Sequence, residues 1–248
     1  MDFVGNYKKA NNKLVLLDYD GTLVHFEPFP DKARPSEPLL DVLERLAEKP
    51  FTRIIIITGR ECKDIDRMIG HLSIDIIAEH GAYIKENGIW NSKVDDKCSW
   101  KKSHIPLLNR FSVMCPGSFV EEKQFSLAWH YRKCKSESAY KYSRELIGLL
   151  VRLKNDCNLK VIDGNKVVEI MPEKIGKGEA VKRILEKNKY DYILSIGDDR
   201  TDEEMFGFLS DISYAFTIKV GNGNTVAKYR VKNEKSVIKL LEQLSVCE

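Results

Sequence analysis

Asp18 and Asp20 stand one residue apart in LVLLDYDGTLVHF, residues 14–26, where an apolar run gives way to two carboxylates and a Gly-Thr pair. Three chemistries are open to that spacing. Asp-Gly is a common turn pair, so the stretch reads first as a turn. A calcium loop would want Gly at its sixth position and Glu at its twelfth. Those positions are Leu23 and Phe29, and the calcium reading fails on its own ligands. In the third reading one aspartate attacks as a nucleophile while the other, two residues on, serves as general acid and base. On this motif alone, turn and catalysis both stand.

A second acidic stretch, SIGDDRTDEEMF, gathers Asp198, Asp199, Asp202, Glu203 and Glu204 behind another apolar run. Such a run can be a solvated face, and acids from Asp202 onward suit the start of a helix. Carboxylates at a strand end also suit magnesium, which takes hard oxygen ligands. Bringing Asp18, Asp20, Asp198 and Asp202 together would be repulsive without a cation, and Mg2+ removes that objection. Two shorter pieces look like phosphate handling. ITGR offers Thr58 and nearby backbone N–H groups, and GKGEAVKRIL places Lys177 where a helix begins, so a cation and free backbone donors coincide. Each is weak singly, since lysines are commonly solvated and Thr-Gly is frequent in loops. Their order along the chain gives them weight.

These residues need elements that hold them. Short apolar runs alternate with helix-like segments, the pattern of a mostly parallel sheet covered on both faces. LVLL ends at Asp18, IIII at Thr58, IDIIA at Glu79 and His80, and YILSI at Gly197 and Asp198. In open α/β sheets ligands bind beyond the carboxyl ends of the strands, so these ends are expected to converge. Between them, PSEPLLDVLERLAEK reads as a packing helix with Ser36 as N-cap and Leu39, Leu40, Leu43, Leu46 and Ala47 on one face.

The middle of the chain follows a different period. In KQFSLAWHYRK, Phe125, Leu127, Trp129 and Tyr131 alternate with Ser126, Ala128, His130 and Arg132, as in a half-buried strand. His130 and Arg132, on the polar side, are read as packing or ion-paired residues. AYKYSRELIGLLVRL follows as an amphipathic helix, and LKVIDGNKVVEI as two strands joined through Asp163-Gly164. The expected architecture is a Rossmann-like, doubly wound parallel core of residues 1–83 and 172–248, interrupted by an α+β insertion over residues 84–171. GNGNT, residues 221–225, lacks the Lys-Ser/Thr ending of a phosphate-binding loop and reads as a turn.

Composition narrows the class further. The 248 residues carry 40 basic and 37 acidic side chains with no long run of one sign, which argues against a nucleic-acid surface. The first residues lack the apolar core of a signal peptide, and no apolar stretch is long enough to span a bilayer. A soluble, cytoplasmic protein is expected. Cys62, Cys98, Cys115, Cys134, Cys157 and Cys247 form no CxxC pair and are read as reduced thiols rather than a zinc site or disulfide framework.

The succession DYDGT, TGR, KG and GDDRTD resembles the haloacid dehalogenase-type phosphatases. GDDRTDEEMF, AEHG and PGSFVEEKQFSLAWHYR resemble, more narrowly, the trehalose-6-phosphate phosphatase family, with likeness from Leu14 through VGNGNTVAKYRV to the C-terminal helix. Two positions depart from that pattern: Thr58 stands where many relatives have the chemically equivalent Ser, and Met171 precedes Pro172 where relatives often have a basic residue. The resemblance implies that trehalose 6-phosphate is hydrolysed to trehalose and phosphate through an aspartyl phosphate on Asp18. Asp20 would be the acid and base, and Thr58 and Lys177 would hold the phosphoryl group. Mg2+ would be held by Asp18, the Asp20 carbonyl, Asp198 and Asp202. It further implies that the insertion is a cap that closes over the core, with Glu121, Lys123 and Glu169 contacting sugar hydroxyls and Arg60 and His80 as further contacts. For Glu121 and Lys123 the competing reading is a solvated strand edge. A trehalose-6-phosphate synthase is the partner it brings to mind.

Three other readings remain distinguishable. A phosphatase of the same fold acting on sucrose phosphate, mannosyl-phosphoglycerate or small sugar phosphates would keep the core motifs and change the cap. A non-catalytic regulatory module should have lost Asp18 or Asp20, and both are present. A phosphomutase would yield a phosphorylated sugar in place of free trehalose.

Overall fold

Lys13–Leu17 forms β1, and its side-chain alternation sets the layering: Val15 and Leu17 enter one buried cluster, Leu14 and Leu16 another. Thr52–Ile57, β2, divides its isoleucines the same way. A strand with apolar residues on both faces must be covered twice. One layer contains α2 (Glu37–Ala47), α3 (Cys62–Ile69) and α8 (Glu234–Ser245), after a short α1 (Phe3–Lys9); the other contains α6 (Lys177–Lys187) and α7 (Arg200–Leu209). Each fully buried Leu or Ile contributes about 1.5–3 kcal/mol, so the sheet centre is a stiff mount for charged groups at its rim. The computed structural model describes residues 3–27, 30–92, 100–153 and 158–247; Phe29, Cys98 and Cys157 lie outside them.

The chain forms two compact units, residues 1–93 with 176–248, and residues 94–175. In the first, β3 (Asp75–Ala78), β4 (Tyr83–Glu86), β5 (Ile89–Ser92), β10 (Tyr192–Gly197), β11 (Ala215–Val220) and β12 (Tyr229–Val231) complete a sheet of eight described strands. Their order is β12-β11-β10-β1-β2-β3-β4-β5, parallel from β12 to β3 and antiparallel over the last two pairings. The order reverses between β1 and β10, the position where such sheets open a crevice.

The expected insertion boundary at residue 84 falls inside β4. That strand pairs with β3 and continues through Asn87 and Gly88, both in the left-handed region, into β5, so the first unit runs ten residues further. Asn-Gly between apolar runs is a strong hairpin signal, and it is present in the sequence.

The second unit contains α4 (Lys101–Met114) and α5 (Ser136–Leu153) with an antiparallel sheet of order β6-β7-β9-β8: β6 (Phe119–Glu122), β7 (Leu127–His130), β9 (Val167–Pro172) and β8 (Leu159–Gly164). Leu127, Trp129 and Tyr131 join Leu108, Phe111 and Leu146 in its core. The β8–β9 turn is centred on Asn165 and Lys166, not on Asp163-Gly164, because Gly164 pairs with Val167 inside the ladder. Ser36 occupies the N-cap of α2 but makes no side-chain capping bond; Leu40 and Ala47 are only partly buried, while Val42 is fully inside. Among the described residues Cys62, Cys115, Cys134 and Cys247 are free thiols, and no described helix is long and apolar enough to cross a membrane.

Candidate active site

β1 and β10 end side by side, so Asp18 and Asp198 leave the sheet together, and the Asp18 N–H donates to the Ile196 carbonyl at 3.0 Å. Close approach is secured by glycine. Gly21 has φ +84°, and a Cβ there would lie 2.5 Å from the Asp198 carboxylate. A Cβ on Gly197 would collide with Asp202. Oxygens of Asp18, Asp198 and Asp202 all lie within 4.8 Å of one another.

The three carboxylates are not equivalent. Asp202, fully buried on the first turn of α7, has both oxygens engaged: Oδ1 accepts from Lys177 Nζ at 2.7 Å, and Oδ2 accepts the N–H groups of Asp198 and Asp199 at 2.9 Å each. It therefore shapes the loop as much as it offers a ligand. Asp18, 4% exposed, accepts from Lys177 at 2.5 Å through Oδ1, while its buried Oδ2 has no hydrogen-bond partner. Asp198 Oδ1 accepts from the Thr22 hydroxyl at 3.3 Å. Thr22 belongs to the DYDGT motif itself, though its type alone did not single it out.

One lysine stands against three acids here. Burial, then the charges of Asp18 and Asp202, push Asp198 up to about 10. Burial and Asp202 push Asp18 up to about 7 against the pull of Lys177. Burial alone would lower Lys177, but Asp18 and Asp202 outweigh it and hold the ammonium charged. Three carboxylates gathered against one lysine make an all-oxygen donor set that fits a hard divalent cation such as Mg2+, with Asp18 and Asp198 the residues that would hold it and Asp202 beside them.

The Asp20 carboxylate is not among the three clustered acids, though its charge still acts on Asp18. Arg60 clamps Asp20 in a bidentate pair, Nε to Oδ2 at 2.7 Å and Nη2 to Oδ1 at 2.6 Å, with the guanidinium 5.2 Å from the Tyr19 ring centre. Arg60, expected as a sugar contact, is thus committed to Asp20 in this structure. Thr58, buried after β2, accepts the Arg60 N–H on its hydroxyl at 3.1 Å, leaving the hydroxyl hydrogen to donate. His80 is buried in the left-handed region (φ +56°), donates its N–H to the Thr58 carbonyl at 3.0 Å and packs its ring on Gly59. It braces the Thr58 loop from behind.

In the second unit the register puts Glu121 and Glu169 on either side of Ala128, one on each neighbouring strand, so both carboxylates share a face. Lys123 Nζ lies 3.2 Å from Glu169 and 3.9 Å from Glu121. Ser126 donates to Glu169 at 2.5 Å, and His130 Nε2 is 2.7 Å from Glu121 while its ring stacks on Phe119. Burial would raise Glu121, but the His130 hydrogen bond and the Lys123 charge outweigh it and hold the acid below its usual range. Ser126 is the member of this face that residue type alone did not single out; its place in the period-two alternation carried the signal. Arg132 donates instead to the Asn165 carbonyl at 2.7 Å.

The chain has the fold of a haloacid dehalogenase-like hydrolase from Bacteroides thetaiotaomicron, which matches with a TM-score of 0.66 at 16% identity over 94% of this chain and all of that one. Residues 16–240 match the trehalose-phosphatase family, and the chain belongs to it. It is 40% identical over 242 residues to a bifunctional trehalose-6-phosphate synthase/phosphatase of Thermoproteus tenax, covering 96% of this chain and 33% of the relative. The C-terminal domain of C. albicans trehalose-6-phosphate phosphatase matches with a TM-score of 0.92 at 27% identity, over 98% and 95% of the two chains. The chain spans about a third of the length of the curated relatives it matches.

Proposed function

We propose that this chain hydrolyses trehalose 6-phosphate to trehalose and inorganic phosphate with the help of a divalent cation, Mg2+ by the chemistry of its ligands. The observation that carries the reading is Asp18: a buried carboxylate at the crevice of the sheet, held through one oxygen by Lys177, with the other oxygen unspent. That second oxygen attacks phosphorus and forms an aspartyl phosphate as the bond to the sugar oxygen breaks. Asp20 gives the departing sugar oxygen its proton, then takes one from the water that releases phosphate, which splits one difficult displacement into two. The bidentate pair with Arg60 must open for Asp20 to do so. Lys177 and the Thr58 hydroxyl hold phosphoryl oxygens, since phosphoryl transfer depends on positioning and on neutralising negative charge. Bound Mg2+ would add the positive charge that lets a phosphate dianion approach three carboxylates.

Substrate choice is assigned to Glu121, Lys123 and Glu169 of the second unit, whose paired charges suit neutral sugar hydroxyls. A trehalose-6-phosphate synthase is the partner proposed, on the strength of the Thermoproteus relative's bifunctional name. Phosphate release from trehalose 6-phosphate, sucrose phosphate, mannosyl-phosphoglycerate and small sugar phosphates, with and without Mg2+, tests the reading. Cation-dependent release with trehalose 6-phosphate preferred, and free trehalose as the product, is the expected result. Equal rates on all substrates, or no release from trehalose 6-phosphate, would overturn it.

A further inference from the structure

The turn Gly221–Thr225 takes no part in the chemistry above, yet it is tied to the acidic site. Thr225 Oγ1 and the Val226 N–H both donate to Glu203 Oε2, at 3.1 and 2.9 Å. Glu203 follows Asp202 directly on α7, and its Oε1 lies 3.3 Å from Lys219 Nζ. Lys219 in turn donates to the main-chain carbonyl of Asp198 at 2.6 Å.

Lys219 sits in β11, every residue of which is buried, and is itself 5% exposed. Burying an ammonium there is costly unless charge and hydrogen bonding compensate it. The compensation comes from the two groups that border the metal-ligand loop: the Asp198 carbonyl and the carboxylate next to Asp202. The loop is thereby held from both sides. Lys177 reaches Asp18 and Asp202 through their side chains, whereas Lys219 grips the backbone of Asp198 from the neighbouring strand.

We infer that Lys219 and Glu203 are a positioning pair that fixes Asp198 for cation binding, and that the Gly221–Thr225 turn locks Glu203 in place. The inference rests on reading Asp198 as a cation ligand. Neither residue touches the ion; groups that orient ligands in this way typically govern metal affinity by tenfold or more. The lysine is the one charged residue in AFTIKV, and Thr225 at the end of the turn reaches Glu203.

Mg2+ binding to the full chain, measured by calorimetry well below the unfolding midpoint, separates this from a purely structural role. Lys219→Met keeps the aliphatic stem and removes the ammonium, and should weaken Mg2+ binding by roughly 10- to 100-fold. Lys219→Arg, which keeps the charge, should recover part of that loss. Thr225→Val removes, from a partly exposed turn, the hydroxyl that donates to Glu203 and accepts the Ala227 N–H at 2.9 Å, and it should weaken binding by roughly two- to fivefold. Parent-like Mg2+ affinity in Lys219→Met would overturn the inference; should that variant not fold, parent-like affinity in Thr225→Val does so. Absence of Mg2+ binding by the parent protein would instead overturn the reading of the acidic cluster on which the inference stands.

Discussion

The two polar constellations of this chain pair their carboxylates in opposite ways. In the first unit Asp18, Asp198 and Asp202 share a single lysine, and two of the acids are pushed far above the ordinary carboxylate range. In the second, Lys123 bonds Glu169, His130 bonds Glu121, and Glu121 is held below its ordinary range. On the proposed reading, the acid-rich cluster suits a cation and then an anionic substrate. The paired face presents donors and acceptors already oriented, suited to neutral hydroxyls, where hydrogen-bond geometry rather than net charge selects the ligand.

The largest effect should come from the nucleophile. Asp18→Asn is nearly isosteric and relieves part of the repulsion, so the protein should stay folded while turnover falls by at least about three orders of magnitude. Steady-state rates beside circular dichroism check both halves. Retention of most of the activity would mean that another group attacks.

The next effect concerns pH without metal. Folded Asp18 and Asp198 titrate near 7 and near 10, against about 3.9 in an unfolded chain. Over that window the folded state binds more protons than the unfolded one, so stability falls as pH rises. Thermal unfolding in EDTA should give midpoints that decline from pH 5.5 to 9, and saturating Mg2+ should flatten the decline. A midpoint that rises with pH in EDTA would contradict the charge imbalance. Glu121 of the second unit, shifted downward, adds nothing to this trend and acts only at lower pH.

How much of this was legible in the sequence depends on the range of the interactions. Asp18, Thr58, Lys177 and Asp198 were legible because each sits at the end of an apolar run or the start of a helix, a local signal that the sheet then brings together. The Arg60–Asp20 clamp was not, since it joins residues 40 positions apart through a geometry no local pattern encodes. Lys219 was hidden for the same reason: its partners are 16 and 21 positions away. The Asn87-Gly88 hairpin signal is present in the sequence, but the expected boundary at residue 84 ignores it, and the sheet turns antiparallel there and continues through β5.

Smaller effects belong to the second unit. Alanine at Glu121, Lys123 or Glu169 should cost about 1–3 kcal/mol of transition-state binding for trehalose 6-phosphate per lost charged hydrogen bond. The same variants should handle p-nitrophenyl phosphate like the parent, since that substrate has no sugar hydroxyls, and should bind trehalose more weakly as a product inhibitor. Parent-like kinetics on both substrates would remove these residues from recognition. Smallest of all, His130→Ala loses one hydrogen bond and a ring stack and should lower stability by about 1 kcal/mol, read from urea unfolding. A loss several times larger would mean that this face carries more of the fold than its pairing indicates.

The most direct test of the account is a single-turnover acid quench with trehalose 6-phosphate labelled on phosphorus. With Mg2+ present, label should appear transiently on the protein and map to the peptide that contains Asp18, and it should be absent in EDTA and in Asp18→Asn. Turnover of the parent enzyme with no protein-bound label at any quench time, or label on a different peptide, would contradict it.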